Sequence, residues 1–396
     1  MTSAHPGRLG YAITLGLLAA LGPLCIDLYL PALPSLASDL QTSTASAQLS
    51  LTAGLLGLGV GQLFFGPLSD KYGRLRPLLL SLVLLLVASV GCALAQDINQ
   101  LLLARLFEGL SGAGGAVLSR AIARDMYSGH DLTRFFALLM LVNGLAPIAA
   151  PVMGGALMAF LDWRGLFMTI GVIAVLLFIL ARVKLHETLP EERRSQGSIF
   201  SAWAALGQVV TYRPFMGFCL TQGFMMAGMF AYIGASPFVL QEIYRLTPQQ
   251  FSFCFAANGI GLIIASQTGA RLSRHFGEYR VLKAGLALAF VASASLLLAG
   301  ISGAALPVVL IALFCSVASN GVIAVTASSL AMQSQGHRAG SASAVLGVTM
   351  FTLGGLSVPV TGIGGTSVLT MTATIFGCYM LAILMFTLLA PKPQTA

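Results

Sequence analysis

Apolar runs of roughly twenty residues recur about a dozen times along this chain, with only short polar breaks between them. A helix of that length crosses the ~30 Å hydrocarbon core of a bilayer. A water-soluble domain would have to hide every such run from solvent, so this one pattern excludes most folds. The runs cover 10–33, 45–65, 77–95, 101–123, 135–161, 165–180, 215–240, 251–270, 281–301, 304–330, 341–360 and 368–390. They predict an all-α membrane protein with twelve transmembrane helices.

Charge is scarce and placed by rule. Only 9% of the 396 residues are charged and 57% are hydrophobic, where a soluble domain carries about 25% charged residues. Of the 21 Lys and Arg, all but Arg105, Arg164 and Arg245 fall at one side of the membrane if the N-terminus is cytoplasmic. That asymmetry predicts both termini in the cytoplasm. The net charge of +8 is therefore read as topogenic loops, and no nucleic-acid partner is expected. The nine residues before the first run include Arg8, and the run itself is longer than a signal peptide's apolar region, so it reads as an uncleaved span. Cys25, Cys92, Cys219, Cys254, Cys315 and Cys378 show no metal or redox spacing and read as small apolar residues. No metal or other cofactor is expected.

The longest polar interval holds HETLPEERRSQGS and divides the runs six and six. Residues 1–183 and 214–396 are expected to form two six-helix bundles joined by a cytoplasmic linker, 184–213. A faint repeat relates them. GPLSDKYGRLRP follows the second run and GARLSRHFGEYR the eighth, both basic and glycine-containing, which fits pseudo-two-fold symmetry between the halves.

Three charges break the rule. Asp27 lies in the first run, Arg105 and Glu108 in the fourth. An ionised side chain at bilayer depth costs several kcal/mol and marks a functional site. On 1.5 Å per residue, Asp27 and Arg105 are placed at similar depth, about seven residues from the outer ends of their spans, with Glu108 one turn deeper on the same face as Arg105. Two carboxylates share one permanent cation. One acid is left over, and a proton is its cheapest counter-ion in a dry site. If Arg105 pairs with Asp27, Glu108 is the acid that titrates; if it pairs with Glu108, Asp27 is.

The second half has no Asp or Glu in its runs; Glu242 and Glu278 are placed in loops. It offers instead Phe224, Met225, Met229 and Tyr232, surfaces that suit loosely fitted apolar ligands. Amides within runs, Asn143, Gln222 and Asn258 among them, are candidates to line a polar cavity. No run contains His, no Walker-type phosphate loop is present, and no enzyme activity is expected. Glycines at 54, 57, 61, 109, 112, 115, 154 and 155 predict close helix seams.

GPLSDKYGRLRP resembles the signature loop of the major facilitator superfamily through Gly66, Leu68, Asp70, Lys71, Gly73 and Arg74. CIDLYLPALPSL, containing Asp27 and Tyr29, and GFMMAGMFAYIGASPFVL are similar to drug/proton antiporters of the Bcr/CflA group. GLAPIAAPVMGG is similar to the antiporter motif at Pro151, Gly154 and Gly155, with Ala146 and Ala150 in place of glycines. The resemblance implies a monomeric bacterial inner-membrane exporter that exchanges protons for small amphipathic drugs, or for an amino acid or other metabolite. It favours Asp27 as the proton-coupled acid and adds Tyr29 to the substrate contacts. It assigns gating to Gly66, Asp70, Gly73, Arg74, Pro151, Gly154 and Gly155, with Asp70 facing a helix N-terminus or a nearby Arg such as Arg120 or Arg124.

Overall fold

The computed structural model describes residues 8–127, 129–194, 206–335 and 339–390. Among them there are helices and turns and no strand. Eleven helical segments are long and apolar enough to cross a membrane. The remaining run, 135–161, falls on the helix Gly129–Leu157, which contains Pro147 and Pro151 and whose described apolar stretch is Gly144–Leu157. Large side chains such as Leu94, Val183, Ile264 and Leu298 stand exposed on the flanks of these helices, as lipid-facing surfaces do.

The first span is not the single helix its run suggests. It extends from Gly10 to Asp39 as α1 (Arg8–Ala19), α2 (Leu21–Asp27), a 3₁₀ turn (Leu30–Ala32) and α3 (Leu33–Asp39). The breaks follow the prolines. Proline has no N–H to return to the carbonyl four residues back. Pro23 thus removes the bond to Ala19, where α1 ends, and Pro31 the bond to Asp27, where α2 ends. Asp27 is accordingly twelve residues from the end of its span, not seven.

The remaining helices are α4 (Thr44–Tyr72), α5 (Leu75–Leu94), α6 (Ile98–Met126), α7 (Gly129–Leu157), α8 (Trp163–Lys184), α9 (Arg213–Phe238), α10 (Pro248–Phe276), α11 (Glu278–Ile301), α12 (Leu306–Gln333), α13 (Ala339–Ser357) and α14 (Val368–Leu389). Glu242 and Glu278 sit in helical turns at span ends rather than in loops: Glu242 in a π-turn, Glu278 as the first residue of α11.

By contacts the chain divides into two compact units. One comprises the described residues of Met1–Tyr29 and Ala53–Ala202; the other those of Leu30–Thr52 and Trp203–Ala396. In the first unit α4 and α6 meet along small residues. A Cβ at Gly57 would strike the Leu106 carbonyl, and one at Gly109 the Gly54 carbonyl. Only glycine lets these backbones approach so closely. In the second unit Thr52 Oγ1 donates to the Gly355 carbonyl at 2.7 Å. That oxygen is the one whose helical donor Pro359 lacks. Gln48 Nε2 donates to the Gly234 carbonyl and to Thr361 Oγ1, each at 3.0 Å.

Candidate functional site

The first unit holds the three intramembrane charges. α6 carries Arg105 and Glu108 three residues apart, and both are fully buried. Arg105 Nη1 pairs with Glu108 Oε2 at 2.5 Å and donates to the Cys25 carbonyl at 2.8 Å. The guanidinium lies over the Tyr29 ring at 4.4 Å and near the Phe167 ring at 5.6 Å. Glu108 also accepts from Ser89 Oγ at 3.2 Å and Cys92 Sγ at 3.5 Å. The Arg–Glu pair is therefore enclosed by aromatic faces and by donors from α5.

Asp27 has no such set. It is 5% exposed and, among the described residues, forms no ion pair and has no donor to its Oδ1. Of the two arrangements open at the outset, the structure takes the one in which Arg105 belongs to Glu108 and Asp27 is left over. Arg105 meets the end of α2 through the Cys25 carbonyl.

Ser89, Cys92, Cys25 and Phe167 belong to this centre and were not singled out from the chain. Ser89 and Cys92 are one turn apart on α5, so a polar face on an otherwise apolar helix was there to be read. Cys92 is not the inert apolar residue its spacing suggests, since its thiol bonds a carboxylate. Tyr29 lies beneath the guanidinium, as part of the charged centre.

The second unit gathers most of the residues assigned to substrate. Tyr232 and Asn258 face one another, with Asn258 Nδ2 donating to Tyr232 Oη at 2.8 Å and Phe255 stacked on the tyrosine ring. Gln222 and Met225 are buried on α9; Phe224 and Met229 are half-buried. Asn320 donates to the Met225 carbonyl at 3.1 Å. The side chain of Asn143 lies outside the described residues. Among the described residues, no group of three or more His, Cys, Asp or Glu could hold a metal ion.

The signature loop turns on Gly73, whose φ of +89° favours glycine. A Cβ there would also collide with the Glu187 carboxylate. Arg74 is the hub. Its side chain bonds Asp70 at 2.5 Å, Asp125 at 2.8 Å and Ser69 Oγ at 2.8 Å. Asp70 thus meets Arg74, not Arg120 or Arg124, because the i,i+4 spacing places Arg74 beside it. Glu187 accepts the backbone N–H groups of Arg74 at 2.8 Å and Leu75 at 3.2 Å, capping α5 from a segment far along the chain. Burial works against the charge on Arg74, but the bonds to Asp125 and Asp70 outweigh it and hold the guanidinium above its ordinary range. Burial likewise pushes the Glu187 carboxyl up, while the N–H groups of Leu189, Arg74 and Leu75 and the Arg194 charge prevail and hold it below the usual glutamate range. Gly66 has open space where a side chain would go. Pro151, Gly154 and Gly155 lie buried on α7.

Comparison with known proteins agrees with this architecture. A transporter of Bacillus subtilis (strain 168), YdgK, described as uncharacterized and MFS-type, is 42% identical over 93% of this chain and 92% of its own length. A bicyclomycin resistance protein homolog of Haemophilus influenzae is 28% identical over 87% of each chain. The multidrug resistance protein MdtL of Salmonella heidelberg is 27% identical over 96% of this chain and 95% of its own. Among solved structures, a bacterial homolog of the human lysosomal transporter Spinster superposes with a TM-score of 0.75 at 16% identity, covering 99% of this chain and 100% of the other. The xylose transporter XylE of E. coli gives 0.72 at 13% identity over 98% and 99%. The Major Facilitator Superfamily model itself matches residues 15–359. Multi-pass helices, a signature loop pinned at Gly73 and Arg74, and a match over most of its length place the chain in the Major Facilitator Superfamily.

Proposed function

We propose that the chain is a proton-coupled exporter of small amphipathic compounds, working by alternating access as two six-helix bundles joined by a linker at 184–213. The observation that carries this reading is the leftover acid. Arg105 and Glu108 neutralise one another, so Asp27 must meet its charge with something mobile. In a site cut off from water a proton does this at least cost; opened to water, the acid ionises again. Each proton that follows the membrane potential supplies about 2.3 kcal/mol per 100 mV, enough to drive accumulation without ATP. The relatives named for bicyclomycin and multidrug resistance support drugs as cargo. The distribution of Lys and Arg supports cytoplasmic termini, and the relatives' organisms support a bacterial cell membrane, where the exporter acts as a monomer.

The test is reconstitution into liposomes with an imposed pH gradient and a panel of antibiotics. Wild type should move at least one drug against its own gradient. Asp27→Asn should lose gradient-driven movement by about a hundredfold or more, while downhill drug movement persists, because only the coupling group is gone. An Asp27→Asn protein that still pumps in response to the pH gradient overturns the assignment.

A further inference from the structure

We propose that the second unit selects substrates carrying hydrogen-bond donors, through the carboxamide oxygens of Asn320 and Gln222. The inference rests on the export reading above and names its substrate class. Gln222, Met225, Met229, Tyr232 and Ser236 recur at intervals of three and four and so share one face of α9. Asn320, on α12, meets that face, and its Nδ2 donates to the Met225 carbonyl. A carbonyl only accepts, so this bond fixes which end of the carboxamide is nitrogen. Its Oδ1 then has no donor from the protein. Gln222, one turn away on α9, has its Oε1 in the same condition. Both residues are 1% exposed.

A buried acceptor without a donor is costly. Two of them within a turn of one contact mark a place made ready for donors from elsewhere. Among the described residues of this unit, the buried side-chain atoms without a partner are carboxamide and hydroxyl oxygens; none is an N–H. An anionic substrate, bringing only acceptors, finds a match in the Ser236 and Ser316 hydroxyls, which can donate, but in neither carboxamide oxygen, which only accepts. An amine or amide finds two acceptors on a wall that also presents the thioethers of Met225 and Met229. No carboxylate lies on this face, so the selection is for the donor hydrogen rather than for positive charge.

The test uses aryl-alkyl primary amines, each paired with its quaternary trimethyl analogue. Both members carry one positive charge at neutral pH, and only the first has N–H donors. Equilibrium binding to the purified protein in nanodiscs, with no gradient, should favour the amine by about tenfold or more. Gln222→Met, which removes no hydrogen bond seen in the structure, should narrow the ratio to about twofold to threefold by weakening the amine alone. Asn320→Leu should act in the same direction. Equal binding of the two members by wild type, or an unchanged ratio in Gln222→Met, overturns the inference. A protein that discriminates in nanodiscs but moves neither compound against a pH gradient supports the selectivity and overturns the export reading. One that pumps both members alike overturns the selectivity alone.

Discussion

The two units bury polarity in different ways. The first encloses ions: Arg105 against Glu108, and Asp27 beside them without a partner. The second encloses neutral groups: Tyr232 with Asn258, Asn320 with the Met225 carbonyl, Gln222 with an oxygen still open. An ionic interior changes its charge when a proton arrives; a neutral one does not. The contrast is what the proposed division, proton chemistry in one half and recognition in the other, rests on. It shows equally in the two glycine links, which share a left-handed turn at Gly73 (φ +89°) and Gly277 (φ +81°). The first is tied by the charges of Asp70, Arg74, Asp125 and Glu187. In the second, the Glu278 carboxylate accepts from the neutral groups of Ser329 and Gln333, both on α12.

The largest test of this contrast is Glu108→Gln. Breaking a buried ion pair strands the other charge, at about 3–5 kcal/mol. Thermal unfolding in detergent should therefore show a strong loss for Glu108→Gln, whereas Asp27→Asn, which removes a carboxylate that has no ion pair, should be neutral or stabilising. Equal losses in the two variants would mean that Asp27 is paired after all. In the second unit Tyr232→Phe should cost far less, about 0.6–1.7 kcal/mol, the range for hydrogen bonds between membrane helices. Combining it with Asn258→Leu should recover part of that loss, because the amide no longer seeks a partner. A double variant whose losses simply add would show that the Tyr232–Asn258 bond contributes nothing.

How much of this was legible in the chain depended on distance. The spans were legible because length and apolarity are local properties, and the charged centre because Asp27, Arg105 and Glu108 had to lie in oil. Which acid Arg105 takes was not legible. Depth arithmetic places both within reach, and the choice falls to side-chain packing under Tyr29 and Phe167. The break at Asp27 could have been read, since Pro23 and Pro31 each stand four residues beyond a helix end. The run as a whole looked continuous because proline does little to mean hydropathy. Glu187 could not have been found: it acts on Arg74 across 113 residues, and nothing near it in the chain distinguishes it from Glu191 or Glu192.

The smallest expected effect concerns that residue. Glu187 is exposed, so solvent screens its charge, and Glu187→Gln should cost only about 0.5–1 kcal/mol at pH 7, in the lower part of the range for helix caps. The sign of its pH dependence follows from its carboxyl lying below the ordinary glutamate range in the folded chain. Its contribution is complete above the unfolded value of about 4.3 and is lost as the pH falls through the lower folded value. Wild type and Glu187→Gln should then differ in melting temperature at pH 7 and converge once the pH lies below the folded value. Taking the difference between the two proteins cancels every other carboxylate that titrates in that window. A gap that does not narrow as the pH falls below the ordinary glutamate range would show that the cap acts through the shape of the side chain rather than its charge. The first link would then hold together, like the second, by neutral contacts.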